Sequence, residues 1–115
     1  MSFWRKEVID FALDQETARH IAEQRAAIAQ NPSDPRPFHN LAQLYRMQNR
    51  QEEALGLLLE AVRLDPGYAD AHVALAEIYA VRGDRGAAWE HARAAGRAGN
   101  GRAVELLVRH AVPEP

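Results

Sequence analysis

The chain repeats itself at a stride of 34 residues, and that regularity limits its fold more than any other feature. Set against itself at this offset, Leu41 falls on Leu75, Ala42 on Ala76, Tyr45 on Tyr79, Ala54 on Ala88 and Ala61 on Ala95. Asn49 falls on Gly83, and both residue types tolerate the positive φ of a helix-ending turn. A repeat of this size marks units that stack side by side, because a single unit cannot bury its apolar faces alone.

Within each unit the apolar spacing is helical. Phe38, Leu41, Ala42 and Tyr45 lie at i, i+3, i+4 and i+7 and form one stripe. A break follows at Asn49-Arg50. Ala54, Leu55, Leu58, Ala61 and Val62 then make a second stripe that closes at Asp65-Pro66-Gly67. The spacing predicts a helix, a tight turn and an antiparallel helix. Ser33 and Asp34 suit a helix start, and Pro35 and Pro37 are tolerated where first-turn amides lack intrahelical partners. Ala42 and Ala54, repeated as Ala76 and Ala88, are expected on facing stripes where a larger side chain would push the axes apart.

The quoted positions resemble the tetratricopeptide repeat (TPR) family, whose signature is W-x2-L-G-x2-Y…A-x3-F…P. The central copy reads Phe38-x2-Leu41-Ala42-x2-Tyr45…Ala54-x3-Leu58…Pro66; the next reads His72-x2-Leu75-Ala76-x2-Tyr79…Ala88-x3-Ala92…Asn100. The resemblance implies an all-α, right-handed α-solenoid of antiparallel helix pairs, about three units plus a C-terminal capping helix. The units would span 35–68 and 69–102, with the capping helix at 103–112 and a tail at 113–115.

Run backwards, the same register lays Trp4, Val8, Phe11, Ala27 and Pro32 on family positions, while Glu7, His20 and Gln24 depart from them. Residues 1–34 are therefore expected to form a degenerate first helix pair with Trp4 buried. The rival reading is one long helix from Glu16 to Gln30 preceded by a separate N-terminal helix. In that case an apolar stripe including Phe3, Trp4, Ile9 and Phe11 would be exposed for dimerisation. Small residues from Ala87 to Gly96 let a second backbone approach, and the capping helix is the expected occupant.

In TPR proteins the first helix of each pair lines a concave groove that holds a partner's peptide or helix. Carried over, that groove would take Arg5, Lys6, Ile9 and Leu13 from the first unit. The second would give Arg36, His39, Asn40, Gln43, Arg46 and Met47, and the third Asp70, Val73, Ala74, Glu77 and Val81. Asn40 stands where chaperone-tail binders hold a peptide carboxylate, but Ile9, Val73 and Glu77 replace the other polar and basic groups. Glu77 would repel a carboxylate. The implied ligand is therefore a protein or peptide held by other means, and Asn40 suits a peptide backbone.

Composition narrows the remaining classes. With no cysteine there are no disulfides and no thiolate chemistry. The five histidines form no H-x3-H pair and no H-E-x-x-H arrangement, so no metal and no cofactor is expected. Nothing resembles a nucleophile elbow, a phosphate loop or a carboxylate pair in an apolar frame, which argues against an enzyme. Residues 82–112 hold Arg82, Arg85, Arg93, Arg97, Arg102 and Arg109 against Asp84, Glu90 and Glu105. That basic end admits nucleic-acid binding as a lesser alternative, with homo-oligomerisation as another, although the formal net charge is −2. No apolar run nears the roughly 18 residues of a membrane span. The start "MSFWRKEVIDFALD" is broken by charge where a secretory signal would be apolar. A cytoplasmic protein is expected.

Overall fold

The computed structural model describes residues 2–115, with side chains from Arg5 onward; the burial expected of Trp4, and the alternative exposure of Phe3, fall outside the described side chains. Six α-helices follow one another: α1 (Ser2–Gln30), α2 (Pro35–Met47), α3 (Gln51–Leu64), α4 (Ala69–Val81), α5 (Arg85–Arg97) and α6 (Arg102–Arg109). No strand occurs among the described residues. Helices α2 and α3 form one hairpin and α4 and α5 the next, each packed on its neighbour in chain order.

The hairpin turns are built as the offset predicts. Asn49 takes φ 60° and Gly83 φ 82°. At the first turn the Arg50 amide donates to Tyr45 O at 2.8 Å and the Asn49 amide to Arg46 O at 3.0 Å. At the second, Asp84 donates to Tyr79 O at 2.9 Å and Gly83 to Ala80 O at 3.0 Å. This paired closure satisfies carbonyls that a helix end leaves without partners, and it needs a left-handed residue at its centre. Asp34 caps α2 by accepting from the Arg36 amide at 3.0 Å, and Asp84 caps α5 by accepting from Ala87 at 3.1 Å.

Residues 1–34 do not form the expected pair. Ser2–Gln30 is one continuous helix, about 43 Å long at 1.5 Å per residue. One reason lies at Gln15, which occupies the position of Asn49 and Gly83. Gln is a good helix former with no ease at positive φ, so nothing turns the chain. The rival reading, with a separate helix before Glu16, also misses this continuity. The C-terminal half of α1 packs on α2 through Ile21 and Ile28, whereas every residue from Arg5 to Glu16 is exposed.

The core has two clusters. One gathers Leu41, Ala42, Tyr45, Ala54, Leu58 and Leu75 with Ile21 of α1. The other gathers Val73, Ala76, Ala88, Trp89, Ala92 and Ala95 with Ala103 and Leu107 of α6. Ala42, Ala54 and Ala88 are fully buried, as closely approaching helix axes require. The ring of Tyr79 packs against both clusters.

Helix α6 covers the small-residue face of α5 as expected, but it ends at Arg109 rather than at 112. Ala111 adopts φ 54°, and Val112 donates to Leu107 O at 3.0 Å. The chain then folds back over α5. The Trp89 indole donates to Val112 O at 3.2 Å, and Arg93 pairs with Glu114 at 2.6 Å.

Candidate functional site

The first helices of successive units, α2 and α4, stand beside α6 along one side of the stack. A recess of about 370 Å³ opens there, bordered by Arg46 of α2, Glu77, Ala80 and Val81 of α4, and Leu106 and His110 of α6. A smaller recess of about 210 Å³ continues past Arg46 and Val81 toward Asn49 and Arg82. Its floor includes Ile78, which the core holds in place. Two large apolar side chains stay in water along this side: Val81 is 88 % exposed and Met47 74 % exposed.

Polar groups between them are linked. Arg46 reaches from α2 to Glu77 on α4 at 3.4 Å, and it also donates to Gln43 Oε1 at 3.3 Å. The Gln43 amide in turn donates to His39 Nε2 at 3.4 Å. The His39 ring meets Tyr68 edge-on, with centroids 5.4 Å apart. Burial pushes the His39 pKa below its usual value, and the nearby Asp70 carboxylate opposes that only in part. Near neutral pH the recess thus has a balanced ion pair beside apolar surface, and α2 carries an amide and a neutral imidazole on from Arg46 beyond its border. Such a lining suits a peptide with mixed polarity better than a bare anion.

A family model for the tetratricopeptide repeat matches residues 14–95. The chain belongs to the tetratricopeptide repeat family. Over 74 residues it is also 39 % identical to a TPR repeat-containing thioredoxin of Arabidopsis thaliana, a match covering 64 % of this chain and 11 % of that protein. TPR arrays generally mediate contact between proteins.

This TPR array brings together only part of the residue set that the resemblance implied. His39, Gln43 and Glu77 are linked along the α2–α4 side through Arg46, with Val81 at the recess; Met47, one turn after Gln43, is exposed but borders no recess. Asn40 sits toward α1, where its amide donates to Gln24 Oε1 at 3.4 Å. Arg36 is held at the helix start by Asp34 at 2.8 Å. Arg5 and Ile9 are not gathered into the trough, because α1 runs straight and carries them past the packed body. Val73 is a correction: it is 1 % exposed and belongs to the core with α5 and α6. Ala74 is buried too. Helix α4 has neighbours in α3, α5 and α6, so its stripe pattern of inside and outside no longer holds.

Sequence reasoning missed the contribution of α6, since Leu106 and His110 were read as parts of a cap alone. It also missed a histidine pair behind the trough. His72 Nε2 lies 2.8 Å from Pro66 O, and His72 Nδ1 lies 3.0 Å from His91 Nδ1. A carbonyl only accepts, so a neutral His72 donates from Nε2 and accepts at Nδ1 from His91. His91 also stacks on Tyr79, with centroids 5.6 Å apart. The two histidines are far apart in sequence and follow no motif.

Two arginines of the basic end are already engaged by carboxylates, Arg82 with Glu52 and Arg93 with Glu114. Among the described residues no three His, Asp or Glu side chains are grouped to hold a metal ion. No helix among them is long and apolar enough to cross a membrane.

Proposed function

We propose that this chain is a non-catalytic interaction module that holds a peptide or helix of a protein partner along the trough of α2, α4 and α6. The observation that carries this reading is the roughly 370 Å³ recess with Val81 exposed at its rim and the Arg46–Glu77 pair across it. A side chain of Leu or Phe size fits such a recess. The amides and the ion pair offer hydrogen bonds to the peptide around that anchor, which is the usual division of labour in a small binding site. His39, Gln43, Met47 and Glu77 form the contact set, with Asn40 and Arg36 at its edge. A cytoplasmic setting fits this role.

Selection from a displayed random-peptide library tests the reading. Enriched peptides should share a large apolar residue, and Val81→Glu should weaken them by roughly tenfold or more, since an apolar anchor facing a charge loses more than 1.4 kcal/mol. Val81 is exposed, so this variant leaves the fold intact. Peptides that bind the variant as tightly as the parent chain would move the site elsewhere.

A further inference from the structure

Helix α1 carries a face that the rest of the chain does not cover. Val8, Ile9, Phe11 and Leu13 are all about half exposed or more, and Ala12 lies among them. At 3.6 residues per turn Val8, Ile9, Ala12 and Leu13 share one broad side of the helix, while Phe11 lies off its edge toward Glu7. Arg5 precedes Val8 and Ile9 by one turn on that side, and Glu16 follows Ala12 and Leu13 by one turn. Glu7, Asp10 and Asp14 fall on the opposite side. The face therefore runs from a positive end, through an apolar middle, to a negative end.

Such a face is complementary to itself in one orientation. Laid antiparallel about a two-fold axis near Asp10-Phe11, two copies place Arg5 of each against Glu16 of the other, at both ends of the contact. Val8 and Ile9 then meet Leu13 and Ala12 of the second copy. A parallel arrangement would put Arg5 against Arg5 and Glu16 against Glu16, which repels at both ends. In the single chain Glu16 already approaches Arg19 at 3.5 Å and His20 at 3.8 Å, both one turn toward the C-terminus; a second copy's Arg5 would add a further positive charge. We propose that the projecting half of α1 pairs with the same segment of a second copy of this chain as an antiparallel, two-fold symmetric helix contact. The opposite-charge ends select that orientation, and the isologous patch closes the assembly at two. Residues 5–16 span only about 18 Å. So short a contact buries less than a standard interface of about 800 Å² per partner, and a weak, reversible association is expected. This contact is separate from the trough and does not depend on the trough's ligand.

Sedimentation of the full chain from micromolar to submillimolar concentration tests the proposal. The expected result is a monomer–dimer equilibrium that Ile9→Glu abolishes while circular dichroism stays unchanged. Arg5→Glu and Glu16→Arg should each weaken self-association roughly tenfold, because two symmetric attractions become two repulsions. Mixed together, these two single variants should form a heterodimer, since one chain then carries acid at both ends and the other base at both ends. A strict monomer at every concentration overturns the proposal. So does a dimer insensitive to these charges, and so does one lost with Val81→Glu, which would seat the arm in the trough of a second copy.

Discussion

Residues 1–34 and 35–68 can be read in the same register, yet one is a straight helix and the other a closed hairpin. Both end in the same kind of turn: Asn31 donates to Ala27 O at 3.0 Å, and Asp65 donates to Ala61 O at 2.9 Å. They differ inside. Where the second stretch has Asn49 in a left-handed conformation, the first has Gln15 within the helix. Where the second buries Leu58 between helices, the first has Gln24, partly buried and bonded to Asn40. A repeat register thus says which positions correspond. A hairpin also needs a residue that turns and a residue that fills.

The sharpest way to break the comparison is to empty the filled position. Leu58→Ala should cost about 2–5 kcal/mol of stability, because Leu58 is fully buried and leaves a cavity. Gln24→Ala, its counterpart, should cost about 0.5 kcal/mol or less. Urea denaturation followed by circular dichroism measures both, and similar losses would mean that the two stretches pack alike after all.

The turn comes next. A Cβ at Gly83 would meet open space, so Gly83→Ala costs only what φ 82° imposes, about 1–2 kcal/mol. Asn49→Gly should be neutral or slightly stabilising at the matching place. Gln15→Gly should lower helicity without folding α1 back, costing about 1 kcal/mol at an exposed helical site.

A smaller effect separates the two tyrosines. Tyr45 accepts from Arg25 Nε at 3.1 Å, and the Arg50 guanidinium lies 3.9 Å from its ring centroid. The residue corresponding to Arg25 is Leu59, so Tyr79 lacks that donor and stacks on His91 instead. Arg25→Leu should cost about 1 kcal/mol, the usual net worth of a side-chain hydrogen bond. Phenylalanine at 45 should cost a similar amount, and the double variant should cost little more than either alone if the two groups act together.

The smallest effect is a slope against pH. Burial, followed by the charge of His72, holds the His91 pKa below its usual value. The unfolded chain therefore binds more protons than the folded one in acid, and stability falls as the pH drops from about 6.5 through the folded pKa. His91→Leu, which copies Leu57 from the preceding unit, should flatten that slope; the remainder belongs to His39, shifted in the same direction. Thermal melts between neutral and mildly acid pH measure it, and an unchanged slope would exonerate His91.

Much of the fold was legible because it rests on local signals. The left-handed turns at Asn49 and Gly83, the Asp34 cap, the alanines between helices and the covering role of α6 can each be read from a few neighbouring residues. The straight α1 was legible too, since Gln15 stands opposite both turn residues, but the register outweighed that sign. The trough was legible only in part. The family resemblance implies a groove place for Val73, whereas packing by three helices buries it, and no single-helix pattern records how many neighbours a helix has. The His72–His91 pair and the reach of Arg46 to Glu77 join separate helices, and such pairings exist only once the array has stacked.

Among the described residues Tyr79 is the one ring that packs against both cores. The lower core carries α2, the upper core carries α6, and α4 belongs to both. Any lean of one core against the other must therefore strain α4, whose buried residues are divided between the two. A change that loosens one core is therefore felt along α4 and so by the other, and the two hairpins hold together through that one shared helix.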